Sequence, residues 1–148
     1  MAPDPMSAAF EEARAAGARG EVPIGAAIVR NGAIIASAGN GAIADNDPTA
    51  HAEILAIRAA GAALGSQRLA DCDLYVTLEP CAMCAGAISF ARLRRLYYAA
   101  SDAKGGGVEH GPRFFTQPTC HHAPEVYGGI RESEAAALLR AFFAARRD

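Results

Sequence analysis

The chain has 148 residues, about half of them apolar and a fifth charged, and a formal net charge of −2. That length suits one ordinary domain, expected here over residues 1–148, which buries roughly two-thirds of its unfolded surface without disulfide support. The composition excludes a disordered or fibrous chain, and the charge excludes nucleic-acid binding by bulk electrostatics, so any such surface must be local.

The longest apolar runs, such as the one around Ile24–Val29, are far too short to cross a bilayer. The opening, Met1-Ala-Pro-Asp-Pro5, has no basic patch followed by an apolar core. A cytoplasmic location without membrane attachment is expected.

In chain order, Asp4-Pro5 pairs a capping residue with proline at the first helical position, and a helix is predicted to about Arg19, ended by Gly20. Ile24–Val29 and Ala33–Ala38 are β-rich runs flanking Asn31-Gly32, a strong hairpin signal. A polar loop follows from Asn40 to Asp47, and Asp47-Pro48 repeats the cap-and-proline signal for a helix through Ala63. Asp73–Leu78 reads as a strand, Pro80–Arg92 as a helix and Leu96–Ala100 as a strand. The stretch Gly105–Pro124 is irregular, which points to a functional loop or a short hidden helix. Glu125–Ile130 is read as a last strand, and Arg131–Arg147 as a closing amphipathic helix. The order fits a three-layer αβα sandwich around a central mixed five-stranded sheet, an α/β fold.

Two groups carry the chemistry: His51-Ala-Glu53, and Glu79-Pro-Cys81-Ala-Met-Cys84. Cys81 and Cys84 are three apart and so are neighbours on a first helical turn, where partial positive charge favours thiolates. In a chain without a secretion signal, C-x-x-C is more often metal-binding or redox-active than a structural staple. Two thiolates and an imidazole fill three corners of a zinc tetrahedron and leave the fourth for water. Glu53 would face away from His51 in a regular helix. It serves the same site only if the pair lies at an irregular first turn, where it can act as the proton carrier. The alternative is a closed zinc clip, with Cys72, Cys120 or a histidine at 110, 121 or 122 as fourth ligand.

The spacing of His51-Ala-Glu53 and Pro80-Cys81-x-x-Cys84 resembles the signature of the cytidine deaminase-like zinc deaminases. Similarity to the tRNA adenosine deaminases among them extends to Glu21-Val-Pro-Ile-Gly25, Asp47-Pro-Thr-Ala-His51, Leu74-Tyr-Val-Thr-Leu78, Asp102-Ala-Lys104, His121-His122 and Phe142-Phe143. The resemblance implies hydrolytic conversion of adenosine to inosine at the wobble position (34) of a tRNA anticodon, with Zn2+ on His51, Cys81 and Cys84 and with Glu53 catalytic. It further implies substrate contacts at Asn40, Pro23, Ile24, Glu79 and Asp102, and a homodimer with tRNA lying across both subunits. The chain departs from the best-known bacterial members between Lys104 and His121, and it lacks a long basic tail. Competing readings are a deaminase of free bases or nucleosides, such as guanine or cytosine, and a zinc-stabilised binding module without catalysis.

Overall fold

The computed structural model describes residues 4–146. Helix α1 (Pro5–Ala18) starts where the Asp4 carboxylate accepts the Ser7 N–H and Pro5 fills the first turn. Its buried stripe of Met6, Ala9, Phe10, Ala13 and Ala16 meets the sheet.

Strands β1 (Gly25–Arg30) and β2 (Ala33–Gly39) form the expected hairpin. Asn31 and Gly32 both hold positive φ, 51° and 77°, the twist that a two-residue turn needs to match right-twisted strands. At Gly25 a Cβ would lie 1.9 Å from the Ala9 carbonyl oxygen, so glycine alone lets α1 lie this close to β1.

Helix α2 (Ala52–Leu64) begins four residues later than Asp47-Pro48 predicts. The Asp47 carboxylate instead accepts the N–H and hydroxyl of Thr49, closing a local turn. The cap comes from a distance: Asn40 Oδ1 accepts the Ala52 N–H at 3.0 Å. Strand β3 (Cys72–Leu78), helix α3 (Ala82–Ala91) and strand β4 (Arg95–Ala100) make a parallel crossover unit. The irregular stretch contains one short 3-10 turn, Phe114–Thr116.

Strand β5 (Glu125–Tyr127) stops short of Ile130. The reason is local, since Gly128 lies against the Tyr98 ring and Gly129 turns at φ 83°. Helix α4 (Glu132–Ala145) follows; the last predicted residue, Arg147, lies outside the described residues.

The strands form one sheet in the order β2-β1-β3-β4-β5, mixed as expected. The β1 pairings with β2 and β3 are antiparallel; β3–β4 and β4–β5 are parallel. Helices α2 and α3 cover one face through Ala52, Ala56, Ala60, Ala85 and Ile88. Helices α1 and α4 cover the other through Met6, Phe10 and Ala135. The three layers are therefore those read from the sequence. Phe114 and Phe115 pack against the α2–α3 core as filling, edge to face with each other. The sandwich brings the carboxyl ends of β3 and β4 beside the start of α2, where ligands sit in open α/β sheets.

Candidate active site

His51 precedes α2 with extended backbone (φ −74°, ψ 154°), and Cys81 precedes α3 in the same way (φ −71°, ψ 175°). Two helix starts therefore face each other, each presenting a ligand from a residue not yet helical. Cys84, one turn into α3, is fully buried. His51 Nδ1 stands 3.7 Å from Cys81 Sγ and 3.5 Å from Cys84 Sγ. Zinc held tetrahedrally, with nitrogen at about 2.0 Å and sulfur at about 2.3 Å, sets an N···S edge of roughly 3.5 Å. The donor set and its spacing fit that ion.

No other His, Cys, Asp or Glu among the described residues joins this group. The candidates for a closed clip are engaged elsewhere. Cys72 lies buried beside Asp71, Cys120 bonds Ser89 and the His122 carbonyl, His110 meets Glu79, and His122 donates to the Leu93 carbonyl. His121 offers its carbonyl to Arg92.

Glu53, second residue of α2, is only 4% exposed. Burial pushes its carboxyl up to about 7. The neighbouring Cys84 thiol holds Cys81 down at about 5, and the Cys81 sulfur together with burial pushes Cys84 far up. A positive ion between these groups would draw all of them toward their charged forms.

The site opens into a pocket of about 190 Å³ lined by Ile24, His51, Glu53, Leu78, Glu79, Cys81, Asp102 and Gly105. Drug-sized ligands occupy roughly 300 Å³ or more, so this space suits a single planar base. Apolar walls with a metal-ligand floor and a buried carboxylate can bind such a base and exchange protons with it.

Known proteins resemble this chain. The family described as cytidine and deoxycytidylate deaminase zinc-binding region matches residues 3–100. A tRNA-specific adenosine deaminase of Agrobacterium fabrum is 63% identical over 142 residues, which cover 96% of this chain and 93% of that one. The chain belongs to this deaminase family. A solved chain from a study of A-to-I editing by tRNA:A34 deaminases at the wobble position of transfer RNA superposes with a TM-score of 0.90 at 64% identity, covering 91% of this chain and 98% of its own. A guanine deaminase from Nitrosomonas europaea superposes at 0.83 with 28% identity, covering 97% of this chain and 86% of its own.

Within this deaminase fold the remaining expected residues separate. Ile24 and Asp102 line the pocket. Asn40 is not among the lining residues; it is buried, its Oδ1 caps α2 directly beside His51, and its Nδ2 has no partner among the described residues. Pro23 does not line the pocket. Its ring sits under Gly17 and walls a separate depression with Arg14, Leu138 and Phe142, because neighbouring residues of extended chain face opposite sides.

Glu79 lines the pocket as well. Its carboxylate is turned into the 102–110 loop, where it accepts four backbone N–H groups and the His110 ring. Burial alone would raise this carboxyl, but the N–H groups of Asp102 and Glu109 and the His110 ring outweigh it and hold Glu79 below the ordinary carboxylate range.

Sequence reasoning missed Glu21, a buried carboxylate accepting the N–H groups of Ile43 and Ala44, and it missed the role of His110. The only available signals were an acidic residue beside an apolar run and a glycine triplet before Val108. Arg94 is paired to Asp73 and Arg95 to Glu125. Among the described residues no helix is long and apolar enough to cross a membrane.

Proposed function

We propose that the chain hydrolyses adenosine 34 of a tRNA anticodon to inosine, releasing ammonia, as one domain in which both apolar cores share a single sheet. The observation that carries this reading is the His51–Cys81–Cys84 triangle at zinc-edge spacing beside a buried glutamate, in a pocket the size of a base. His51, Cys81 and Cys84 hold the zinc, which when bound supplies the Lewis acidity that makes water a nucleophile near neutral pH.

Glu53 is the proton carrier. It takes a proton from the attacking water and delivers it to the nitrogen that leaves from C6 of the base. Its burial keeps that proton out of bulk solvent. Ile24 and Leu78 sandwich the base and exclude water, while Asn40 Nδ2 donates to the target nucleoside. Asp102 contacts the sugar side of the pocket mouth. A base inside a folded anticodon loop reaches such a recess only when swung out of its stack.

The alternative is deamination of a free base such as guanine. The fold shared with the Nitrosomonas europaea guanine deaminase favours it, but at 28% identity against 63% for the tRNA-specific relative. An anticodon stem-loop carrying A34 should yield inosine, whereas free guanine and cytosine should yield no ammonia under the same conditions. Ammonia from free bases alone would overturn the RNA reading.

The enzyme works as a homodimer in the cytoplasm. Phe90 is 82% exposed on α3 and borders an apolar depression with Ile54, Ile57 and Ala87, a surface that a second copy would cover. Sedimentation should give twice the chain mass, falling to one chain for Phe90→Asp; a monomeric wild type would contradict the dimer.

A further inference from the structure

Glu79 directly follows β3, and its own N–H is tied to the Ala100 carbonyl at the end of β4. Its side chain is completely buried. Oε1 accepts the Asp102 N–H at 3.0 Å and the His110 Nδ1 at 2.8 Å. Oε2 accepts the N–H groups of Val108, Glu109 and His110 at 3.2, 2.9 and 3.2 Å. Because an ionised carboxylate only accepts, the network assigns the ring hydrogen to Nδ1.

The loop is wrapped around this one group with no space left over. A Cβ at Gly106 would lie 2.5 Å from Glu79 Oε2 and 2.5 Å from the Asp102 carbonyl oxygen. At Gly107 it would lie 2.6 Å from the Ala82 nitrogen, at the first residue of α3. The Gly107 N–H bonds the Pro80 carbonyl at 2.8 Å, directly before Cys81. Asp102 and Gly105, at the near end of the same loop, form one wall of the pocket. One carboxylate thus fixes a wall of the pocket relative to the turn that carries a metal ligand.

We infer that Glu79 and His110 are positioning residues: the imidazole locks the Glu79 carboxylate, which folds the 102–110 loop so that Asp102 and Gly105 meet the substrate. This rests on the tRNA-deaminase reading above and adds to it what the Glu79 carboxylate does. The wall touches the substrate in ground and transition states alike, so its displacement weakens binding without slowing the chemical step.

His110 is the part to remove, since its side chain is 36% exposed and its loss leaves the core intact. His110→Ala should keep stoichiometric zinc and raise KM for the A34 stem-loop about tenfold, with kcat within about twofold. His110→Asn, whose amide reaches near the Nδ1 position, should recover most of that loss. Gly106→Ala, which displaces the same wall from within the loop, should reproduce the KM effect.

Unchanged KM and kcat in both His110→Ala and Gly106→Ala would overturn the inference, leaving the network a purely structural one. So would loss of zinc at unchanged KM. Amide exchange of Val108, Glu109 and His110, measured without substrate, separates this inference from the substrate assignment. His110→Ala should speed that exchange about tenfold; unchanged exchange contradicts the locking role even if the wild type proves inactive on RNA, a result that would sink only the tRNA reading.

Discussion

Two loops flank the site, one leading into His51 and the other supplying Asp102 and Gly105 to the pocket, and each is pinned by one buried glutamate, but they depend on it to different degrees. The 40–50 loop largely ties itself. Gly41 N–H bonds the Ala50 carbonyl, Asp45 N–H the Gly41 carbonyl, and Asp47 N–H the Ala42 carbonyl. Glu21 adds two bonds at the tip, to Ile43 and Ala44. The 102–110 loop has one backbone pair of its own, Gly106 to Asp102, and its Asp102 carboxylate takes the Lys104 and Gly105 N–H groups at the near end, but the far end and Asp102 itself give four N–H groups to Glu79. A loop that pairs with itself keeps its shape when its anchor is lost. A loop that pairs with one carboxylate does not.

That contrast is open to direct test. The largest effect should come from Glu79→Ala, which strands four N–H groups and the His110 ring and should cost roughly 3–5 kcal/mol. Glu21→Ala strands two and should cost roughly 1–2 kcal/mol. Urea unfolding of the two variants checks both values, and equal costs would break the comparison.

A smaller effect belongs to the self-tied loop. The Thr49 hydroxyl and then its N–H hold the Asp47 carboxylate below its ordinary value of 3.8. A depressed carboxylate stabilises the fold above its unfolded pKa and loses that contribution as pH falls through the folded value. The Thr49 amide should therefore exchange normally above about pH 4 and open progressively below it. Protection that persisted at lower pH would place the loop's restraint elsewhere.

Much of this was legible beforehand because it is local. Asp4-Pro5, Asn31-Gly32 and the β-rich runs of β1 to β4 act through neighbours in the chain, and they folded within a residue or two of expectation. The metal triad was legible because ligand chemistry restricts which residues serve and at what spacing. What escaped was non-local. Asp47-Pro48 looked like a helix start, but the cap of α2 is Asn40, reached across twelve residues of loop. Glu79 was expected at the pocket through the family resemblance, and it lines it, but the resemblance did not say what its carboxylate holds. Its true partners lie 23 to 31 residues further on. A hydrogen bond of that span leaves no periodicity in the sequence. The glycine triplet was the one trace of it, and glycines report that something is close without saying what.

In the proposed reaction Glu53 moves protons beside a zinc held by three other residues. Zinc content and inosine formation, measured together for Glu53→Ala with the A34 stem-loop, decide whether it does. Stoichiometric zinc should remain, while inosine formation falls by about a thousandfold. Turnover within tenfold of wild type, or zinc lost along with activity, would contradict the assignment.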